Sequence, residues 1–262
     1  GFQSMIFDFI HTYNDIISLE NLLEAWTEFL EGKHARHDVQ LFERNLMSNI
    51  FSLHKDLASK VYNHSSYEAF NIFDPKPRSI HKATVRDRLL HRALYRKLSP
   101  FFDRTFIADS YSCRLGKGTH KAVNRFREFG YKVGRNHTRT CSVLKCDVRK
   151  FFASIDHSIL MGILEKYIFD RDILWLLRQV IDSFSSIQKG IGLPLGNLTS
   201  QLLVNIYMNE FDQFVKHQLK AKYYIRYADD FVVVSDSRES LEEKIMPIRN
   251  FLRDHLHLSL HP

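Results

Sequence analysis

The sequence predicts an α+β fold, a mostly antiparallel sheet with helices on one face, and three observations predict it. The 262 residues are 44% hydrophobic and 13% aromatic, which is ample for a substantial core. Apolar residues recur at helical spacing over much of the chain. Strand signals are few and widely separated, at Cys141 to Asp147 and at Tyr223 to Val234. An order of strand, two helices, loop, long helix, hairpin, helix and strand suits a sheet whose helices are segregated from it.

Taken in order, Gly1-Phe2-Gln3-Ser4 precedes Met5 and reads as a remnant of tag cleavage. Ser18 to Leu30 and Asp38 to Tyr62 form amphipathic helices, with Ser18 and Asp38 as N-caps. The prolines of Phe73-Asp74-Pro75-Lys76-Pro77-Arg78 break that pattern, and a long helix follows from Arg86 to Lys97. Phe129 to Thr140 turns polar and Gly-bearing, a surface loop leading into the strand that ends at Asp147. Helices then cover Asp156 to Tyr167, with Asp156 as cap, and Arg171 to Phe184. Gly190-Ile191-Gly192-Leu193-Pro194-Leu195-Gly196 holds too many breakers for either regular structure and forms a shaped loop. A long helix from Thr199 to Lys220, the hairpin, a helix from Ser237 to His255 and a short strand from Leu256 to Leu260 complete the chain.

A net charge of +7 and a pI near 9.2 suit a polyanionic partner, most commonly nucleic acid. Basic residues crowd the first 150 positions, from Lys76 to Lys150, though solvated helix faces account for many. Cys113, Cys141 and Cys146 are odd in number and lack zinc-site spacing, so the expectation is a reduced, cytoplasmic protein without a disulfide framework. No apolar run approaches the roughly 18 residues of a membrane span, so no membrane partner is expected. The histidines show no metal-ligand spacing, and no zinc is expected.

Tyr223-Tyr224-Ile225-Arg226-Tyr227-Ala228-Asp229-Asp230-Phe231-Val232-Val233-Val234 sets two carboxylates between aromatic and β-branched runs, a hairpin with acid at its turn. Neighbours on an extended chain point to opposite faces, so only one of Asp229 and Asp230 is expected to share a site with a given third group. Asp147, ending the strand Cys141-Ser142-Val143-Leu144-Lys145-Cys146, is the natural third. Three carboxylates from two strands could hold a pair of Mg²⁺ ions about 3.5 to 4 Å apart, which activate a 3′-hydroxyl and stabilise a pyrophosphate leaving group. An aspartate pair in a turn also fits plain local hydrogen bonding and solvation.

From about Ser18 to its last residue the chain resembles the reverse transcriptases. Tyr227-Ala228-Asp229-Asp230 matches their signature tetrapeptide, and Asp147-Val148-Arg149-Lys150-Phe151-Phe152 matches their first aspartate motif. The resemblance implies a right-hand polymerase, with mainly helical fingers and an N-terminal extension in residues 5–140 and a partly intermingled palm in 141–262. It implies that Asp147 and Asp229 bind both Mg²⁺ ions, with Mn²⁺ as a possible substitute, helped by the Val148 carbonyl and supported by Asp230. Phe152 would pack under the incoming sugar and exclude a 2′-hydroxyl, with core packing as the alternative. Arg78-Ser79-Ile80 followed by Asp87-Arg88 resembles the segment whose arginines hold the triphosphate. Arg78 and Arg88 either touch nucleotide or serve as surface charge or a local ion pair. Ser110-Tyr111-Ser112-Cys113-Arg114-Leu115-Gly116-Lys117-Gly118-Thr119-His120 resembles a basic turn entering a helix, where Arg114 and Lys117 would meet the template backbone.

Gly192-Leu193-Pro194-Leu195-Gly196-Asn197-Leu198-Thr199-Ser200-Gln201 occupies the place of the motif that packs on the nascent base pair, implicating Leu195, Gly196 and Gln201 in nucleotide binding. Group II intron and retron enzymes usually have Gln where Leu195 stands and Pro where Gln201 stands. The departure resembles the reverse transcriptases of diversity-generating retroelements, which misincorporate opposite template adenines. The implied partners are template RNA, primer or cDNA, dNTPs and a small basic accessory variability protein. A retron, group II intron or defence-associated enzyme, or a non-catalytic RNA-binding scaffold, are the alternatives. The family continues past Pro262 into a lysine-bearing turn and a helical thumb, so the thumb is expected to be absent from this chain.

Overall fold

In a computed structural model that describes residues 9–73 and 77–261, side-chain caps start several of the helices. Residues Gly1 to Ser4, Asp74 to Lys76 and Pro262 lie outside the described residues. Helix α1 (Tyr13–Ile17) begins on a Thr12/Asp15 capping box. Helix α2 (Leu19–Leu30) begins where the Ser18 hydroxyl accepts the Asn21 N–H at 3.1 Å, which satisfies one of the free donors of a first turn.

The single helix expected from Asp38 to Tyr62 is two, α3 (His37–Glu43) and α4 (Leu46–Ala58). Asn45, with φ −121 and ψ 37, breaks it. Asp38 is therefore inside a helix and not a cap; its carboxylate pairs with Lys82 at 2.8 Å and with Arg88 at 2.5 Å. The proline-bearing break conceals an antiparallel hairpin, β1 (Glu68–Phe73) and β2 (Pro77–Lys82). Pro77 opens β2, a position that tolerates a residue without an N–H. Helix α5 (Val85–Asp103), capped by Thr84, packs on α2 and is six residues longer at its C-terminal end than the expected Lys97.

Helix α6 (Thr119–Val133) takes up the start of the expected surface loop, because Phe129 and Val133 are buried and hold the helix on through Gly130. Strand β3 (Ser142–Asp147), a 3₁₀ turn at Phe151–Ser154, α7 (His157–Glu165) and α8 (Arg171–Asp182) follow. The Asp156 carboxylate accepts the Ser158 and Ile159 N–H groups at 2.8 and 3.1 Å and caps α7 as expected. Helix α9 (Leu198–Gln213) runs into a π-helical turn at Phe214–Gln218. Strands β4 (Tyr224–Tyr227) and β5 (Asp230–Ser235) and helix α10 (Arg238–Leu256) complete the elements. The expected last strand reduces to one bridge between Leu260 and Val148.

The main sheet has the order β3-β5-β4 and is antiparallel throughout. Alternation sends Tyr224, Phe231 and Val233 into the core shared with α9 and α10, and Ile225 and Val234 against Ala122, Phe129 and Val133 of α6. Helices thus cover both faces and not one. Cys113, Cys141 and Cys146 are free thiols. No helix among the described residues is long and apolar enough to cross a membrane.

Candidate active site

The register of the sheet places Asp147 directly opposite Asp230, which is also the partner of Tyr227 across the hairpin. Ala228 and Asp229 form the turn, and Ala228 adopts the left-handed region at φ 55. Directly opposite residues point to one face, and like charges so placed destabilise a sheet. Asp229, being in the turn and not on the strand, escapes the alternation rule. Its carboxyl is raised above the usual range by burial, then by Asp147 and Asp230, while Arg78 lowers it. Asp147 and Asp230 thus both act on Asp229, and the register gives Asp147 the strand residue Asp230 as its direct neighbour.

Two further features bear on whether this corner fits a cation. Asp147 Oδ1 is buried without a hydrogen-bond partner, an expensive condition for a carboxylate oxygen. The Val148 N–H donates to the Asp229 carbonyl at 3.4 Å, and on an extended residue the carbonyl leaves on the same side. Among the described residues no three or more His, Cys, Asp or Glu side chains form a set able to hold a metal ion alone. The donors present fit a hard divalent cation that takes one or two carboxylates and completes its shell with carbonyl, water and phosphate oxygens, the habit of Mg²⁺.

The turn is held from below by a buried network that the sequence reading missed. Arg226, fully buried, donates from Nε and Nη2 to the two Asp212 oxygens at 2.8 and 2.7 Å. Its Nη1 donates to Asn205 Oδ1 at 3.2 Å and to the Ala228 carbonyl at 3.0 Å, and Nη2 to Ser110 Oγ at 3.2 Å. The Tyr224 hydroxyl donates to Asp212 at 2.7 Å. The available signal was two opposite charges at apolar-facing positions, Asp212 in α9 and Arg226 in β4.

The Gly-rich loop joins the β2 hairpin to the Phe152 turn. The His81 N–H donates to the Leu195 carbonyl at 3.0 Å, and Asn197 Nδ2 to the His81 carbonyl at 2.7 Å. The Leu193 N–H donates to the Phe152 carbonyl at 2.8 Å. Gly196, at φ 100, lies so close to Ile80 that a Cβ would stand 2.8 Å from its Cγ2. Arg78, Phe152, Leu195 and Gly196 are thereby tied into one assembly. Phe152 is half-buried, edge-on to Phe151 with ring centroids 5.6 Å apart. Gln201 stands apart, lining a cavity of about 580 Å³ with Tyr111, Arg114 and Gly118.

Three expected phosphate ligands are engaged elsewhere. Arg88 pairs with Asp38 and lies over the Phe29 ring, the local ion pair of the two readings. Arg114, nearly buried, donates to the Asp103 carboxylate at 2.6 Å and to the Ile107, Ser110 and Asp103 carbonyls. Those bonds brace the 103–114 segment and leave little of the guanidinium for a template. Lys117 donates to the Ala108 carbonyl at 2.6 Å and lies over the Tyr111 ring.

Comparison with known proteins follows the same lines. A family model described as reverse transcriptase (RNA-dependent DNA polymerase) matches residues 73–262. Protein YkfC of Escherichia coli (strain K12) is 26% identical over 198 residues, covering 62% of this chain and 51% of its own length. The group II intron-encoded protein LtrA of Lactococcus lactis subsp. cremoris is 29% identical over 154 residues, covering 56% of this chain and 24% of its own. The chain thus spans about half of one relative and a quarter of the other. Among solved structures, a chain of a partial Cas6-RT-Cas1--Cas2 complex shares the fold with a TM-score of 0.53 at 21% identity, over 93% of this chain and 43% of that one.

Proposed function

The chain belongs to the reverse transcriptase (RNA-dependent DNA polymerase) family, and from that premise we propose that it copies a template RNA into cDNA by adding dNTPs to a primer 3′ end. The observation that carries the reading is the carboxylate corner, Asp147 opposite Asp230 with Asp229 in the joining turn. Asp147 and Asp229, with the Val148 carbonyl, would hold Mg²⁺, and Asp230 would support them. When bound, such ions lower the pKa of the attacking 3′-hydroxyl and offset charge on the pyrophosphate. Arg78, the basic group acting on Asp229 from β2, would donate paired hydrogen bonds to the triphosphate. Phe152 would face the sugar and exclude NTPs, and the Leu195-Gly196 loop would lie against the nascent pair. In this reading residues 5–140 serve as fingers and 141–262 as palm, in the cytoplasm.

We propose further that copying is error-prone and belongs to a diversity-generating retroelement, which Leu195 and Gln201 support by their residue types. A second reading, an intron-encoded or defence-associated enzyme, is favoured by the likeness to LtrA and to the chain of the Cas6-RT-Cas1--Cas2 complex. Primer extension on an RNA template with Mg²⁺ tests the activity, with Asp229→Asn as control. Extension with dNTPs but not NTPs, lost in the control, supports the polymerase. RNA binding without extension would point instead to a scaffold. An excess of errors at template adenines then separates the diversity reading from the second one.

A further inference from the structure

At the end of the sheet remote from the carboxylates, the end of α6, the approach to β4 and the first turns of α10 surround a cavity of about 360 Å³. Lys132 and Arg135 come from the end of α6, Lys220 and Lys222 from the approach to β4, and Lys244 from α10, with Asp236 the sole carboxylate in the lining. The floor is apolar, made by buried Val133, Ala221, Val233, Val234 and Leu241. Lys132 is paired with Glu128; Lys244 donates to the Ser240 carbonyl and hydroxyl at 3.0 Å and Lys222 lies over the Tyr223 ring, but among the described residues no carboxylate stands within ion-pair distance of Arg135, Lys220, Lys222 or Lys244. Arg135 and Lys220 are held at φ 45 and φ 50, a left-handed backbone that costs free energy in non-glycine residues and gathers at ligand clamps. A cluster of like charges converging on one concavity repels itself unless an anion enters.

We infer that this cavity binds backbone phosphates of the RNA, on a stretch that is not being copied. The inference rests on the RNA-copying reading for the identity of the polyanion. Lysine outnumbers arginine four to one in the lining, and ammonium point charges suit sequence-independent phosphate contact better than base readout. Along β5, Asp230 to Ser235 spans about 16 Å, so an RNA held here leaves the carboxylate corner free.

The test is equilibrium binding of a short mixed-sequence single-stranded RNA, without dNTPs, across a salt series. The chain is compared with K220Q/K222Q/K244Q and with K220R/K222R/K244R. Each lost phosphate contact removes about 0.7 from the slope of log affinity against log salt. The expected result is a slope shallower by about 2 in the Gln variant, affinity reduced by about tenfold or more at low salt, and wild-type behaviour in the Arg variant. Unchanged RNA affinity and slope in the Gln variant would overturn the inference. So would loss of binding to a poly-glutamate peptide with RNA binding intact, which would make the cavity a protein-docking site. Because no polymerisation is measured, the result stands apart from whether the chain extends a primer.

Discussion

Arg226 lies at the junction of stability and chemistry, and substitutions can separate the two. Arg226→Met leaves Asp212 buried with only the Tyr224 hydroxyl as partner, and removing one member of a buried ion pair costs about 3–5 kcal/mol. Denaturant unfolding should read that loss. Arg226→Met with Asp212→Leu removes both charges and should recover much of the stability, since apolar replacement of a buried pair is often neutral. It should not recover primer extension, because the Ala228 carbonyl in the turn carrying Asp229 still lacks its donor. Full recovery of both would show that the arginine serves folding alone. Leu195 acts at a different level: its carbonyl fixes the loop, while its side chain would offer no polar group to a nascent pair in the proposed polymerase reading. Leu195→Gln should lower misincorporation about fivefold, the discrimination that one hydrogen bond of ~1 kcal/mol supplies. Equal error frequencies at template adenines in the two proteins would remove Leu195 from the account.

Among the elements, the contact between the Gly-rich loop and β2 couples the hairpin that bears Arg78 to the turn that bears Phe152. Gly196→Ala places a Cβ 2.8 Å from Ile80 Cγ2 at φ 100, so clash and backbone strain together should cost about 1–3 kcal/mol and raise the KM for dNTPs. Adding Ile80→Ala relieves the clash alone; if KM does not fall at all, strain and not the contact governs the loop. The elements legible in the sequence share a reason. The β4–β5 hairpin and β3 are apolar, β-branched and bounded by acids, and the Asp156 cap is a local hydrogen bond. The β1–β2 hairpin escaped because β1 is exposed along its whole length and so carries no alternation. The break at Asn45 escaped because neither Gly nor Pro marks it. Arg88 and Arg114 were read by charge, yet each pairs with a carboxylate 50 or 11 residues away in sequence, Asp38 and Asp103. Such pairings are tertiary facts with no local signature.

At the scale of the whole molecule, the front half is latched to the rest partly through a buried polar cluster beneath the β1–β2 hairpin. His64 and His91 meet through their Nε2 atoms at 3.1 Å, Asp87 accepts from Tyr62 and Thr84, and the Tyr67 hydroxyl contacts Ser183 Oγ at 2.7 Å. Burial, then the neighbouring His64, hold the His91 imidazole down at about 3 against its ordinary 6.5; Asp87 opposes this and Arg88 adds to it. Between those values the unfolded chain carries a proton that the folded chain refuses. His91 therefore contributes its full stability above 6.5 and loses it progressively as pH falls, by up to about 1.4 kcal/mol per pH unit. Measured from 6.5 down to about 5, above the range where most carboxylates titrate, unfolding should become easier with acid. His91→Leu should flatten that dependence, leaving His64 the Tyr67 hydroxyl at 3.3 Å as a partner. An unaltered acid slope in His91→Leu would place the proton uptake at other groups and make the latch a matter of packing alone.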